Sequence, residues 1–393
     1  MASRRNSESF SCFWCDWWWL ILLILALLLG GILGTRPFWE PLVFPTQIPI
    51  STPRLPSMPT QTLTPTVEYP HKIELNSGDP SGELCPGGIA NLFWDVELSP
   101  AASAQYSDIV FAFDQTGSMM GVIHDVVLNS EELMNTIKDT FGEANFGVVG
   151  LADYPTATTP DDKPYQLLHP ISANYASVRN SIGNIDMADG GDSPESYVRA
   201  MYESYSDSSI QWRENSRRFF VVFGDSSPHE VDAGRDGILG TIDDLFIENV
   251  LADMKKNNII LIFVAAPTLD ETTSTYQDWN DWAESTGGMA VSLEDHDKII
   301  TVIDDAIVAA SMKISTLEVT GPLSYIDWLS SNIYENLEID DAGEEFTFSV
   351  EIEIPKRWPD SGDHEIKLQV IGDGALYAEM FVVITIPDDC PPN

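Results

Sequence analysis

A doubly wound α/β domain with a mainly parallel central sheet, flanked by a β-sandwich formed from the segments before and after it, is the fold class this sequence predicts. Four short, nearly continuous apolar runs, Ile109 to Phe113, Phe146 to Leu151, Phe219 to Phe223 and Ile259 to Ala266, read as strands buried on both faces. Stretches with helix-spaced apolar residues separate them. On either side of this region the apolar residues recur at period two instead.

The chain is 393 residues long with 44% hydrophobic residues, enough for two folded units and accessory segments. Asp and Glu number 61 against 20 Lys and Arg, a formal net charge of -41. That charge repels phosphate backbones and anionic lipid, so nucleic acid is excluded as a partner.

Residues 1–16 are predicted to be cytoplasmic. Residues 17–34 are read as a transmembrane signal anchor, because the uncharged run from Trp17 to Leu33 reaches the roughly 17 to 25 residues that span a bilayer. Trp14, Trp17, Trp18 and Trp19 gather at one end, where indoles favour the interface, and Arg4 and Arg5 keep the N-terminus inside. A cleaved signal peptide is the alternative, but no A-x-A-like site follows. The protein is thus expected to be single-pass, with everything after Arg36 extracytoplasmic.

Residues 35–70 form a Pro/Thr-rich stalk. Prolines 37, 41, 45, 49, 53, 56, 59, 65 and 70 prevent a helix or ladder from persisting. In polyproline-II form it would reach on the order of 100 Å, and a disordered spacer is the alternative. Cys85 and Cys390 are the cysteines outside the membrane, and an oxidising compartment would let them pair. Cys12 and Cys15 receive no function.

Residues 105–313 form the α/β domain. Ile123, Val126, Val127, Leu133, Met134, Ile137 and Phe141 keep one helical face. Further helices are expected over Ala176 to Ile185, Glu195 to Tyr205, Asp244 to Lys256, Tyr276 to Glu284 and Lys298 to Ser311. Residues 71–104 and 314–390 supply the sandwich. Ala90, Leu92, Trp94, Val96 and Leu98 alternate before the domain, as do Phe346, Phe348, Val350, Ile352, Ile354, Ile366, Leu368 and Val370 after it.

Asp114, Asp153 and Asp225 each follow a predicted strand, at the end where open parallel sheets bind ligands. Acids converging there repel one another unless a cation lies between them. With the hydroxyls of Thr116 and Ser118 the set is one of hard oxygen donors, suited to Mg²⁺, Mn²⁺ or Ca²⁺.

Asp114, Thr116 and Ser118 resemble the D-x-[ST]-x-S metal-ion-dependent adhesion site of von Willebrand factor A domains, and Phe223-Gly224-Asp225 resembles that family's third metal loop. Gly190-Gly191-Asp192-Ser193-Pro194-Glu195 is similar to the D-x-P-E loop of integrin β I-like and hemicentin-like domains. The resemblance implies an adhesion module that is not an enzyme. It implies an ion held by Thr116, Ser118 and Glu195, with Asp114 and Asp225 acting through water, and a partner protein offering an Asp or Glu. It further implies a second ion on Asp153, Asp192 and Glu195, with Gly190 where the integrin loop has asparagine. The adjacent site of integrins is missing, since Gly121 and Val122 stand in its place.

The segment Asp232 to Asp244 has two readings. Asp232, Asp236, the Ile238 carbonyl and Asp243 match positions of a calcium loop, which would add Ca²⁺ as a cofactor. Alternatively, it is a Gly-rich turn whose Asp243 caps the next helix. An enzymatic reading also exists. Asp114-Gln115-Thr116-Gly117-Ser118 resembles the phosphorylated loop of P-type ATPases, which would make Asp114 the nucleophile of a metal-dependent phosphotransferase or hydrolase. Gln115 stands where that loop has lysine, and His124, His169 and His229 have no nucleophile partner.

Overall fold

The computed structural model describes residues 84–98, 104–188, 190, 193–293, 298–340, 343–357 and 360–390. All belong to the compact unit Tyr69–Asn393. The expected anchor and stalk lie outside the described residues, among which no helix is long and apolar enough to cross a membrane.

After β1 (Ile89–Leu98), the α/β domain runs β2 (Tyr106–Asp114), α1 (Met120–Phe141), β3 (Glu143–Leu151), β4 (Gln166–Ser172), α2 (Tyr175–Gly183), α3 (Tyr197–Ser206), β5 (Arg217–Gly224), α4 (Ile247–Lys256), β6 (Ile259–Ala265), α5 (Ser274–Ser285), β7 (Met289–Ser292) and α6 (Ile299–Ser311). The six strands lie in the order β4-β3-β2-β5-β6-β7. All neighbours are parallel except the β3–β4 pair at one edge. Ile109, Phe111 and Phe113 of β2 pack with residues of α1, α2 and α6. Val110 and Ala112, facing the other way, pack with residues of α3, α4 and α5. This two-sided burial explains the continuous apolar strands. The chain leaves β2 toward β3 on one side and later adds β5, β6 and β7 on the other, so the switch point falls between β2 and β5.

The predicted strands correspond to β2, β3, β5 and β6. No sequence signal had marked β4 or β7: β4 is a half-buried edge strand containing Pro170, and β7 is very short. Two helices begin later than expected. Glu195 is held in a bridge with Pro228, so α3 starts at Tyr197. At the start of α4, Phe246 is the N-cap and makes no side-chain cap bond, which corrects the reading of Asp243 as a helix cap.

After α6 come β8 (Lys313–Thr320), β9 (Leu329–Ser331), β10 (Tyr334–Glu338), β11 (Glu344–Glu353), β12 (Gly362–Gly372) and β13 (Ala375–Ile386). They form sheets β1-β11-β9 and β10-β8-β12-β13, with β1 pairing antiparallel to β11. Trp94, Phe348, Leu368 and Ile384 belong to the one core between the sheets. The α/β domain is therefore inserted between the first and second strands of a single sandwich.

A turn between β12 and β13 fastens the two parts. Asp373 accepts from Arg217 Nη1 at 2.9 Å and from the Ser315 and Thr316 amides. The Leu376 amide donates to the Asn215 carbonyl, and the Leu376 carbonyl accepts from Gln105 N. Arg217 is only 3% exposed, so its charge needs this partner. Asp373→Asn keeps one acceptor and tolerates the positive φ of 45° found there, but removes the opposite charge. It should lower stability by about 1 to 2 kcal/mol in urea unfolding; an unchanged midpoint would mean the pair contributes nothing.

Candidate metal centre

Asp114, the last residue of β2, is fully buried. Its Oδ1 accepts from the Thr116 amide at 2.9 Å and from Thr116 Oγ1 at 2.6 Å. Thr116 Oγ1 lies 3.3 Å from Ser118 Oγ, in the 3-10 turn Gly117–Met119 that leads into α1. The spacing of acid and hydroxyls thus becomes a compact oxygen cluster at the carboxyl end of β2.

Tyr197, on α3, links this loop to the third. Its hydroxyl donates to Asp114 Oδ2 and accepts from Asp225 N at 3.3 Å. Burial, and then the Asp114 charge, pushes the hydroxyl well above its ordinary range, so it remains a donor. A Cβ at Gly224 would lie 2.5 Å from this oxygen, so the glycine before Asp225 makes the link possible. Asp225 Oδ2 accepts from Thr268 Oγ1 at 3.4 Å.

Glu195 is 4% exposed, and its Oε2 has no hydrogen-bond partner. Burial first, then the charges of Asp114, Asp153, Asp225 and Asp162, push its carboxyl up to about 9. Burial likewise raises Asp114 to about 6, against the hydrogen bonds from Thr116 and Tyr197. Gly190 lies against both Thr116 and Glu195: a Cβ there would be 2.7 Å from Thr116 Cγ2 and 3.3 Å from Glu195 Oε1. At φ 70° and with this crowding, the asparagine of the integrin loop has no room.

Asp153 has other partners. Its Oδ1 accepts from Ser196 Oγ at 3.0 Å and lies 2.7 Å from His229 Nε2. Burial opposes its ionisation, but His229 and the other donors outweigh burial and hold it below the usual carboxylate range. Asp192, expected beside it in a second ion site, lies outside the described residues.

In the Asp232 to Asp244 segment most carboxylate oxygens accept protons from the loop or from Tyr154 beside it, whereas Asp232 Oδ2 is buried without a partner. Asp232 Oδ1 is 2.6 Å from the Tyr154 hydroxyl, and Asp236 Oδ1 accepts from Ile238 N at 2.8 Å. Asp243 Oδ2 accepts from the amides of Arg235 and Asp236, and its Oδ1 from Thr241 Oγ1. The Ile238 carbonyl accepts from Thr241 Oγ1 at 3.2 Å. Cys85 and Cys390 form a disulfide with their Cα atoms 5.5 Å apart.

Among the described residues no three His, Cys, Asp or Glu side chains are grouped so as to hold a metal by themselves. The rim set differs in kind, since it mixes carboxylates with the hydroxyls of Thr116 and Ser118. Its hard oxygens and the orphaned Glu195 Oε2 fit a divalent cation. Tyr197 and His229 are not among the residues that the sequence assigns to the metal site, whereas Gly224 belongs to the third loop. Gly224 directly before an expected ligand was the available signal.

No family model matches the chain, and no curated protein matches it. Among the solved structures that are loosely similar to the chain are the following two. A von Willebrand factor type A structure from Catenulispora acidiphila is 12% identical, with 79% of this chain and 76% of that one covered and a TM-score of 0.37. The pilus adhesin SpaC from Lactobacillus rhamnosus GG, in an open conformation, is 9% identical with a TM-score of 0.35. That match covers 77% of this chain and 46% of the adhesin, less than half its length. Similarity this distant says nothing of the site or its ligand.

Proposed function

We propose that the chain is a membrane-tethered, extracytoplasmic adhesion module that recognises a partner carboxylate through a divalent cation at the rim of its parallel sheet. The observation behind this reading is Glu195, buried among Asp114, Asp153 and Asp225 with one oxygen unpartnered. Such a group is costly without a cation. Thr116, Ser118 and Glu195 would hold Mg²⁺, with Mn²⁺ or Ca²⁺ as substitutes, and Asp114 and Asp225 would support it from behind. When bound, the ion supplies a Lewis-acidic position for an anionic oxygen. Asp114 orients Thr116: the threonine hydroxyl donates its proton to Oδ1, leaving its lone pairs for a cation. Tyr197 fixes the Asp114 carboxylate against the Asp225 loop.

The uncharged run from Trp17 to Leu33 and the prolines of residues 35–70 support a surface location. The disulfide supports an oxidising compartment. The phosphotransferase reading is disfavoured, because both Asp114 oxygens are bonded and the side chain has no exposed surface from which to attack.

Magnesium titration by calorimetry tests the site. Ser118→Ala should weaken binding at least about tenfold without altering the circular dichroism spectrum. In a pull-down from cell-surface extract, a partner should be retained by wild type in Mg²⁺ and released by EDTA. A partner held equally with chelator, or by Ser118→Ala, would overturn the reading.

A further inference from the structure

We infer that the loop from Asp232 to Asp243 binds one Ca²⁺ through Asp232, Asp236, the Ile238 carbonyl and Asp243, at a site separate from the rim cation and not dependent on it. These are positions 1, 5, 7 and 12 of a twelve-residue calcium loop, but the same spacing serves acids that merely accept amide protons. Asp232 is what favours the metal. It is fully buried, and its Oδ2 has no hydrogen-bond partner. The carboxyl group is turned into the loop, because its Oδ1 accepts from the Gly234 amide at 3.0 Å. Acids that served only as amide acceptors would not leave a buried carboxylate oxygen without a proton, since that is costly.

A proton count at the same place points the same way. The Tyr154 hydroxyl lies 2.6 Å from both Asp232 Oδ1 and the Gly234 carbonyl, yet it has one proton to give. Among the described residues, the two Asp232 oxygens and the Gly234 oxygen thus share two protons, one from Tyr154 and one from the Gly234 amide. A cation makes up that deficit. The side-chain cations nearby are engaged elsewhere: Arg199 and Arg235 both bond Glu203, and His229 lies 2.7 Å from Asp153. Burial pushes the Asp232 carboxyl above its usual range, in spite of the hydrogen bonds from Tyr154 and Gly234 and the charges of His229 and Arg199.

The backbone already gathers the proposed ligands. Two hydrogen bonds between Asp232 and Leu245 close the base of the loop. At Gly234, with φ 65°, a Cβ would lie 2.1 Å from the Asp243 carbonyl oxygen and 2.8 Å from Asp243 Oδ2, so the first and last positions meet across this residue. The Asp243 carboxylate then reaches the Arg235 and Asp236 amides. Among the described residues no three acidic side chains hold a metal by themselves, and a calcium loop does not require it: a backbone carbonyl and water complete its six to eight oxygens. Nor do the amides exhaust the acids, since a carboxylate has about four lone pairs and Asp236 takes the Ile238 amide through one oxygen. Such an irregular set of carboxylates and a carbonyl suits Ca²⁺ better than Mg²⁺, which demands a near-ideal octahedron.

The test is a calorimetric titration of the full chain in detergent with calcium chloride, in a Ser118→Ala background that weakens the rim site. Asp236→Asn is the second change. Asp236 is exposed, and asparagine keeps an acceptor for the Ile238 amide, so the fold is retained while a ligand charge is lost. Ser118→Ala alone should bind one Ca²⁺, and adding Asp236→Asn should weaken that binding at least about tenfold. Asp236→Asn by itself should leave magnesium affinity at the rim as in wild type. No calcium uptake by Ser118→Ala, or uptake that Asp236→Asn does not weaken, would overturn the proposal. A magnesium affinity lowered by Asp236→Asn would overturn it as well, because the two sites would then not be separate.

Discussion

Replacing Glu195 by glutamine should stabilise the metal-free protein and, at the same time, abolish its response to magnesium. Glu195 is buried beside Asp114, Asp153 and Asp225, and one of its oxygens lacks a partner. Folding without a cation near pH 7 must therefore either place the Glu195 charge among like charges or force a proton onto it, and both cost stability. Glutamine keeps the shape and removes the charge. The expected gain is on the order of 1 to 3 kcal/mol in EDTA. In excess magnesium the order should reverse, because wild type gains stability from an ion it binds only when folded. Thermal unfolding of both proteins, in EDTA and in magnesium, gives the four numbers needed. A Glu195→Gln protein less stable than wild type in EDTA would mean that Glu195 is a structural acceptor, and its role as a ligand would have to be abandoned.

The legible part of this site is the part written locally. Asp114, Thr116 and Ser118 are near neighbours in one turn, so their spacing alone brings the oxygens together. Asp225 was legible because it directly follows a strongly apolar strand. Tyr197 was not, because its role depends on α3 packing across the end of β5, where Gly224 leaves room for the ring. The partner of Asp153 was hidden for the same reason: His229 arrives from a loop 76 positions away. The segment from Asp232 to Asp244 shows a different limit. Its acid spacing suits a cation and equally suits an acceptor for nearby amides: Asp236 and Asp243 accept amide protons, while Asp232 Oδ2 is buried without a partner, so spacing alone does not separate the two chemistries. In the fold, alternation revealed β1, β11 and β12 because each buries one face, whereas β4 at an edge carries little periodic signal.

The pairing of Cys85 with Cys390 should matter more to the sandwich than to the α/β domain. The bond closes a separation of 305 positions, for which chain entropy gives roughly 6 kcal/mol and experience with native disulfides about 2 to 5. Cys85 lies just before β1, the edge of one sheet, and Cys390 just after β13, the edge of the other. The Leu84 amide donates to the Thr385 carbonyl at 3.0 Å beside them. Without the bond, β1 must find β11 across the whole inserted domain, since Ile89 pairs with Glu353 and Leu98 with Glu344. The inserted domain instead closes its sheet within its own chain segment, so its stability depends less on the clip. The Cys85→Ser, Cys390→Ser protein should therefore unfold at lower urea, and amide exchange should accelerate first in β1 and β11, with β2 and β5 still protected. Equal urea midpoints for the oxidised and double-serine proteins would show that the clip adds nothing. Exchange accelerated equally in β5 and β11 would show that sandwich and inserted domain unfold as one cooperative unit.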